Sequence, residues 1–219
     1  MFPLIHEDKA NPLEIFQVWL NLPAASKLVD PHFTMLWKDN ITQVVETDNQ
    51  GSQSFIDVIS GNYKNHDFPA PPPDSWASNP ENGLLILTIK IEANAKLDLI
   101  AADVEDVNRS LYFYRGCHLI IEGQRIDPNY KFDVNPKESI TIENGNEDAY
   151  LLLLQGRPIN EPVAKHGPFV MNTQEELQQA FADYRKDEFG GWPWPEREQV
   201  HGKDKGRFAK HADGTEEVK

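Results

Sequence analysis

The chain has 219 residues, with 21 lysines and arginines against 35 aspartates and glutamates, which gives a formal net charge of −14. Such a charge repels phosphate backbones, so direct binding to nucleic acid is not expected. No stretch of sequence approaches the ~18 consecutive apolar residues that a membrane helix needs, so a membrane partner is not expected either.

The first third of the chain has the pattern of short β-strands. Leu13–Asn21 is apolar at alternate positions and has aromatic side chains between them, which predicts a strand buried on parts of both faces. Ile41–Glu46 and Ser54–Ser60 flank the turn-rich sequence DNQGSQ and predict a β-hairpin. Lys64–Gly83 contains three consecutive prolines, which lack the amide donors that a sheet needs, so this segment is predicted to be a connector.

Residues 84–156 contain a more complete set of strand patterns. The predicted strands are Leu84–Glu92, Ser110–Tyr114, Cys117–Glu122, Glu138–Glu143 and Ala149–Gln155. Short strands separated by turn sequences at regular spacing are typical of an antiparallel sandwich or barrel. The single cysteine, Cys117, excludes an internal disulfide framework and a multi-cysteine zinc site, and we predict that it is a small buried hydrophobe.

Beyond the last of these strands the pattern changes to that of one helix. Thr173 and Glu176 have the spacing of a capping box, in which each side chain satisfies a backbone amide of the other residue. This spacing predicts a helix from Thr173 to about Glu188. Arg157–Val170 is predicted to be an extended arm that the helix clamps, with Phe169 buried beneath it.

Three segments of the chain resemble the pirin family. HGPFVMNT at His166–Thr173 resembles the carboxy-terminal segment of pirins, and FQVWLNLP at Phe16–Pro23 resembles the segment by which pirins leave their first domain. FGGWPW at Phe189–Trp194, with GRFAKHADG at Gly206–Gly214, is similar to the tail of one pirin subgroup. The three segments occur in the order that the family has.

The resemblance implies the fold of pirins, which is two small cupin barrels in tandem, of which only the first carries metal. We therefore predict an all-β, cupin-type β-barrel (a double-stranded β-helix), with one complete barrel, remnants of a first barrel and one carboxy-terminal helix. The predicted domains are a remnant of the first barrel with its crossover (1–63), a proline-rich connector (64–83), the second barrel (84–156), and an arm, helix and polar tail (157–219).

A cupin metal site needs several imidazoles and a carboxylate on neighbouring strands, commonly as a His-x-His pair, a Glu and a later His, which suit first-row metals. None of the seven histidines of this chain is in a His-x-His pair. Counting along the second barrel places Arg109 where the motif has Glu, and Asp103 and Glu105, or their neighbours, where it has the His pair. Thr141 stands where the motif has the later His. We therefore predict that this barrel holds no metal, as the resemblance also implies.

The first barrel is where the resemblance implies iron. In pirins its ligands lie upstream and end in a His-Ser-Glu-like element immediately before the segment that resembles Met1–Ile5. The resemblance therefore implies that this chain begins just past those ligands and is truncated at its amino terminus. We assign no catalytic, cofactor-binding or metal residue to this sequence, and iron is implied only for an intact family member.

Two pairs of residues outside the motif positions are candidates for metal binding. His118 and Glu122 lie four apart on a predicted strand, so their side chains point to one face, as a metal-binding pair or as a packed pair. His6 and Glu7 are adjacent and would diverge in an extended segment. In both pairs a structural role is the preferred interpretation.

Other polar residues are expected to have structural or solvated positions. His166 precedes a Gly-Pro loop that leads to the predicted helix, and we expect it to orient that loop by hydrogen bonds. His201 and His211 lie in the charged tail and are expected to be solvated. The acidic sequence DVED at Asp103–Asp106 could attract a cation, but a solvated turn is the preferred interpretation.

Three functions remain open. The preferred interpretation is a pirin-like cupin without its own catalytic metal, acting as a non-catalytic fragment or a protein-interaction module. The second is an iron-dependent dioxygenase of the quercetin type, which the resemblance implies for an intact homologue and which is not expected of this chain alone. The third is an iron-dependent transcriptional cofactor that binds other proteins. The start of the chain lacks a basic leader and an apolar core, which predicts a cytoplasmic or nuclear location.

Overall fold

The structure is a computed structural model that describes residue 6 and residues 8–66, 68–197 and 206–219. The chain divides into two compact units. The larger unit spans Asn21–Glu161, and the smaller unit combines the described residues up to Leu20 with those from Pro162 onward. Within these described ranges, no helix has both the length and the apolar character to cross a membrane.

The larger unit contains two antiparallel sheets, with strands numbered in chain order. The first has β1 (Thr42–Thr47), β2 (Gln53–Ser60), β3 (Leu85–Ile91), β5 (Asn108–Arg115), β8 (Tyr130–Asp133) and β10 (Ala149–Gly156), in the spatial order β1-β2-β3-β10-β5-β8. The second has β4 (Lys96–Leu99), β6 (Leu119–Ile121), β7 (Gln124–Ile126) and β9 (Ile140–Asn144), in the order β4-β9-β6-β7. The prediction of an antiparallel all-β fold is therefore confirmed.

The core of the larger unit is one hydrophobic cluster formed by both sheets. On β3 every second side chain is buried, because successive residues of a strand point to opposite faces. The cluster includes Val58, Leu87, Ile89, Leu111, Phe113 and Leu151 from the first sheet and Leu97, Leu119 and Ile142 from the second. Burying an aliphatic side chain of this kind stabilises the fold by about 1.5–3 kcal/mol, so this cluster is the main source of stability.

The predicted hairpin before the connector is confirmed as β1 and β2. Its second strand pairs with β3, from Ser54 opposite Ile91 to Ser60 opposite Ile86. The hairpin therefore extends the barrel sheet at one edge. The assignment of residues 1–63 to a remnant of a first barrel stays a prediction.

The proline-rich connector has no strand in its described residues and contains two short 3₁₀ turns, Trp76–Ser78 and Pro80–Asn82. The indole Nε1 of Trp76 donates a hydrogen bond to the carbonyl oxygen of Arg157 at 2.9 Å. The side-chain Nδ2 of Asn82 donates to the carbonyl oxygen of Trp76 at 2.8 Å. The first bond fastens the connector to Arg157, which follows β10, and the second joins the two 3₁₀ turns to each other.

The smaller unit contains two isolated hairpins and one helix. The hairpins are β11 (Ala164–His166) with β12 (Phe169–Met171), and β13 (Phe208–Lys210) with β14 (Glu216–Val218). The helix α1 is Gln174–Asp187, and a 3₁₀ turn at Glu188–Gly190 follows it. Two further 3₁₀ turns, Ala24–Ser26 and Lys38–Asn40, lie in the larger unit.

The capping box of α1 is confirmed. The amide of Glu176 donates to Thr173 Oγ1 at 3.1 Å, and the amide of Thr173 donates to Glu176 Oε2 at 2.9 Å. Glu188 then has a left-handed backbone, with φ 52°, which closes the helix. The start and the end of the helix therefore lie where the sequence places them.

The predicted strand at Leu13–Asn21 is wrong. Among the described residues this segment joins no β-ladder, and most of its large apolar side chains are exposed. Alternation alone does not make a strand, because β-propensity depends on a neighbouring strand and on burial. The predicted extended arm at Arg157–Val170 is also only partly correct, since its last residues enter the β11–β12 hairpin.

Phe169 was expected to be buried, but its side chain is only half-buried. Its ring centroid lies 4.6 Å from that of Phe181 and 5.7 Å from that of Tyr184. We therefore expect Phe169→Ala to lower the free energy of unfolding of the unit that contains it by about 1–2 kcal/mol, less than the 3–5 kcal/mol typical of a fully buried aromatic. Urea unfolding followed by fluorescence measures this, with the exposed Tyr130→Ala as control. Equal losses in the two variants would show that the aromatic contacts of Phe169 do not stabilise the protein.

Candidate functional site

The barrel interior contains one charged side chain at a position where a cupin would have a metal ligand. Arg109 lies on β5 with its side chain inside, and only 3% of the residue is exposed. Its Nε donates a hydrogen bond to Gln155 Oε1 at 2.7 Å, and its Nη1 donates to the carbonyl oxygen of Ile100 at 2.7 Å. Burial lowers the pKa of the guanidinium, but an arginine stays protonated in proteins. The interior therefore already holds a fixed positive charge.

A buried tyrosine is hydrogen-bonded to a carboxylate of the same unit. Tyr63 is 1% exposed, and its hydroxyl donates to Glu46 Oε1 at 2.9 Å. Lys64 Nζ donates to the same carboxylate oxygen at 2.6 Å. Burial raises the pKa of the Tyr63 phenol, and the negative charge of Glu46 raises it further, while the charge of Arg109 acts in the opposite direction. The phenol is therefore a neutral hydrogen-bond donor and not a proton-transfer group at neutral pH.

The predicted motif positions do not converge on one point in the barrel. Thr141 is exposed, and its hydroxyl donates to Asp98 Oδ1 at 2.6 Å on the outside of β4 and β9. The buried neighbours on β9 are Ile140 and Ile142. The placement of Thr141 in the later metal position is therefore wrong, because a ligand there must face the interior. Asp103 and Glu105 lie in an exposed loop, as predicted for DVED.

The described residues of the barrel can be compared with the ligands that iron takes in a cupin. No group of three or more His, Cys, Asp or Glu side chains that could hold a metal ion occurs among the described residues. The one interior side chain at a ligand position, Arg109, is a cation, and a cation repels a metal ion.

His118 and Glu122 do not lie on one face of a single strand. Strand β6 contains only Leu119–Ile121, and Glu122 has a left-handed φ of 50° in the turn that follows. Gly123, with φ 77°, completes this tight turn. The prediction failed because the Glu-Gly turn begins one residue earlier than the predicted end of the strand. The sequence predicts that Cys117 is buried, but the residue is only half-buried. Its Sγ lies 3.3 Å from Asn146 Oδ1.

The remaining histidines have varied surroundings. The backbone amide of the exposed His6 donates a hydrogen bond to Asn11 Oδ1 at 2.9 Å, while Glu7 and His201 lie outside the described residues. His166 lies on β11 and not in a loop, and its ring meets Phe181 edge-on at 5.4 Å. His211 was expected to be solvated, but its Nε2 lies 2.8 Å from Glu217 Oε1 across the β13–β14 hairpin.

A polar cleft on the outside of the larger unit was not predicted. Its volume is about 290 Å³, and it is lined by Glu46, Thr47, Asp48, Asn49, Gln50, Lys96, Asp98 and Thr141. Asp48 accepts hydrogen bonds from the amides of Lys96, Gln50 and Ser52, and the Lys96 amide in particular lowers the pKa of this carboxyl. The Asp48 contacts fasten the β1–β2 turn to β4, so its carboxylate has a structural role.

Comparison with known proteins agrees with this fold. Residues 86–190 match the family described as the pirin C-terminal cupin domain. The pirin-like protein of Caulobacter vibrioides is 32% identical over 178 residues, which cover 80% of this chain and 58% of that protein. Human pirin is 27% identical over 188 residues, which cover 82% of this chain and 58% of human pirin. These matches support the assignment of this chain to the pirin family. They also confirm that the barrel is of the cupin type.

A solved structure is also similar to this chain. The crystal structure of a quercetin 2,3-dioxygenase from Acinetobacter baumannii has a TM-score of 0.65 and 25% identity, over 78% of this chain and 55% of the dioxygenase. The chain spans about three fifths of the length of the curated relatives that it matches, with values of 61%, 57% and 64% for three of them. The activities of those longer proteins are therefore not established for this chain.

Proposed function

We propose that this chain is a pirin-type cupin that works without a catalytic metal of its own and acts by binding other proteins. The observation that carries the proposal is the buried guanidinium of Arg109, which donates to the buried Gln155 and to the partly buried carbonyl oxygen of Ile100. A metal ion there would have to share a low-dielectric interior with a fixed positive charge, which is unfavourable by several kcal/mol.

Quercetin 2,3-dioxygenase activity is the alternative function. It is supported by the similar fold of the Acinetobacter baumannii quercetin 2,3-dioxygenase, which is nearly twice as long as the matched region. A dioxygenase of that type would need a metal to bind oxygen and substrate together. The described residues of this chain supply no such donor set, so we place the alternative second.

The test is a measurement of metal content and quercetin turnover on the full chain. The protein is purified from cells grown with added iron, beside the Acinetobacter baumannii dioxygenase as a positive control. We expect far less than one iron per chain and no loss of the quercetin absorbance band, because no described residues form a metal site. One iron per chain together with quercetin cleavage would overturn the proposal.

A further inference from the structure

Two arginines of the larger unit are withdrawn from water without an opposite charge beside them. Arg109 is 3% exposed, and Arg157 is half-buried. Among the described residues, neither guanidinium forms an ion pair with a carboxylate. An arginine is almost never fully buried in a protein unless it is paired, because removing a charge from water is costly. The burial of Arg109 therefore calls for a negative partner that the described part of the chain does not supply.

The hydrogen bonds of Arg109 go to neutral oxygens only. They are the side-chain amide oxygen of Gln155 and the carbonyl oxygen of Ile100. Gln155 is itself held in place, because its Nε2 donates to the carbonyl oxygen of Gly83 at 2.9 Å. Within the ranges that the structure describes, no acceptor bonds to Nη2 of Arg109. The guanidinium therefore keeps two N–H donors for a further acceptor.

Arg157 brings a second guanidinium to the same loop, residues 100–107, which connects β4 to β5. Its Nη2 donates to the carbonyl oxygen of Glu105 at 3.2 Å, as Arg109 donates to Ile100 at the start of the loop. The Nε of Arg157 is buried and has no acceptor in the described part of the chain. A buried donor of this kind indicates an acceptor taken from solution, either water or an ion.

The strand register brings the two arginines near each other. Gln155 lies opposite Arg109 in the β5–β10 ladder, and Arg157 is two residues further along the chain. Diagonal neighbours of this kind lie about 7–8 Å apart in a ladder, which is within the reach of two arginine side chains. One small ligand can therefore contact both guanidiniums.

The nearby negative charge does not replace a bound partner. Burial lowers the pKa of the Arg109 guanidinium, and the charge of Asp103 opposes that shift. Asp103 is exposed, however, and forms no ion pair with Arg109. Because the solvent around an exposed carboxylate weakens its attraction for a buried cation, Asp103 compensates the charge only in part.

We propose that Arg109 and Arg157 together bind a small oxyanion, through a carboxylate or phosphate group, beside the loop 100–107. A guanidinium presents its N–H donors as a planar fork that matches the oxygens of these groups. The oxyanion accepts from the donors that lack acceptors, Nη2 of Arg109 and Nε of Arg157, and it supplies the missing negative charge. This activity goes beyond the protein-binding function proposed above and does not depend on it.

The test is a titration of the full chain with inorganic phosphate and, separately, with malonate, in a buffer free of both. Calorimetry measures the stoichiometry and affinity, and NMR of the arginine Nε–H groups identifies the side chains that take part. We expect saturable one-to-one binding of at least one anion, with shifts of the Arg109 and Arg157 signals. The net charge of −14 disfavours general accumulation of anions, so saturable binding reports a local site. The tighter of the two anions shows whether phosphate or carboxylate is preferred.

Three variants locate the site. Arg157→Gln should weaken binding by at least about tenfold, because it removes one of the two charges. Arg109→Lys keeps the charge but loses the planar fork, and we expect a loss of similar size. Arg125→Gln is the matched control, since it removes one exposed guanidinium of β7, and it should change the affinity by less than about twofold. Thermal unfolding without anion checks that each variant is folded, and Arg157→Gln decides alone if Arg109→Lys is not.

Three outcomes would overturn the inference. The first is that neither anion binds saturably at millimolar concentration, and the second is that binding persists unchanged in Arg157→Gln. The third is an equal loss in Arg125→Gln, because a general effect of charge would then explain the binding. Iron content and quercetin turnover remain the test of the proposed function, so a metal-free, inactive chain that binds neither anion would refute only the oxyanion site.

Discussion

Replacing Gly61 with alanine is expected to lower the free energy of unfolding of the barrel by about 2–5 kcal/mol. Gly61 follows β2 and has φ +88°, a backbone conformation that alanine adopts at a cost of about 1–2 kcal/mol. A Cβ at this position would also overlap the carbonyl oxygen of Leu84 and lie 2.8 Å from its carbonyl carbon. Backbone atoms cannot rotate away, so the ends of β2 and β3 would have to separate at a further cost of about 1–3 kcal/mol.

Gly51→Ala is the matched control for this change. Gly51 has the same φ of +88° in the β1–β2 turn, but an added Cβ would meet no atom within 4 Å. We expect it to lose only the conformational term, about 1–2 kcal/mol. Urea unfolding of both variants measures the difference. Similar losses in the two would show that the close approach of Gly61 to Leu84 does not exist in solution.

The long strands of the barrel could be predicted from the sequence because each carries its own signal. Leu85–Ile91 alternates between buried and partly buried residues, and the sequence LLILTIKIE shows that period directly. Strands of three or four residues, such as β7 and β8, were missed because so few side chains do not establish a period. Their existence depends on the neighbouring strands β6 and β5.

The predicted strand at Leu13–Asn21 shows what sequence reasoning could not predict. Its pattern predicts a strand, but whether a strand forms depends on a partner edge that no local pattern contains. The helix α1 needs no partner for its start, since Thr173 and Glu176 satisfy each other's backbone amides within one turn. Local capping and the β1–β2 hairpin could therefore be predicted, while pairing with a strand distant in sequence could not.

Of the four positions that motif spacing assigned, Arg109 is buried, whereas Asp103, Glu105 and Thr141 are exposed. Arg109 faces the interior, as a residue in the Glu position of a cupin motif should. Thr141 faces outward, since a shift of one residue moves a side chain to the other face of a strand. The hydrogen bond from Tyr63 to Glu46 could not be found from spacing, because the two residues lie 17 positions apart and meet only after β1 and β2 have formed.

Replacing Arg109 with methionine is expected to destabilise the larger unit by about 2–4 kcal/mol. The change keeps most of the volume but leaves Gln155 Oε1 and the Ile100 carbonyl without the donors at 2.7 Å. Each buried acceptor that loses its partner costs about 1–3 kcal/mol. Burial of the guanidinium lowers the pKa of Arg109, which shows that its charge is desolvated. Methionine removes this desolvated charge, and that gain offsets part of the cost. The hydrogen-bond loss outweighs that relief because two acceptors are involved.

Two further variants make this prediction specific. Arg125→Met removes a guanidinium whose Nε lies 2.9 Å from Asp127 with both side chains more than half exposed, and should cost less than about 1 kcal/mol. A double-mutant cycle with Gln155→Leu should give a coupling energy of about 1–3 kcal/mol, because the first change leaves the acceptor unpaired and the second removes it. A coupling near zero would mean that the guanidinium does not bond to Gln155 in the barrel. The argument that the interior is already occupied by a fixed cation would then lose its main support.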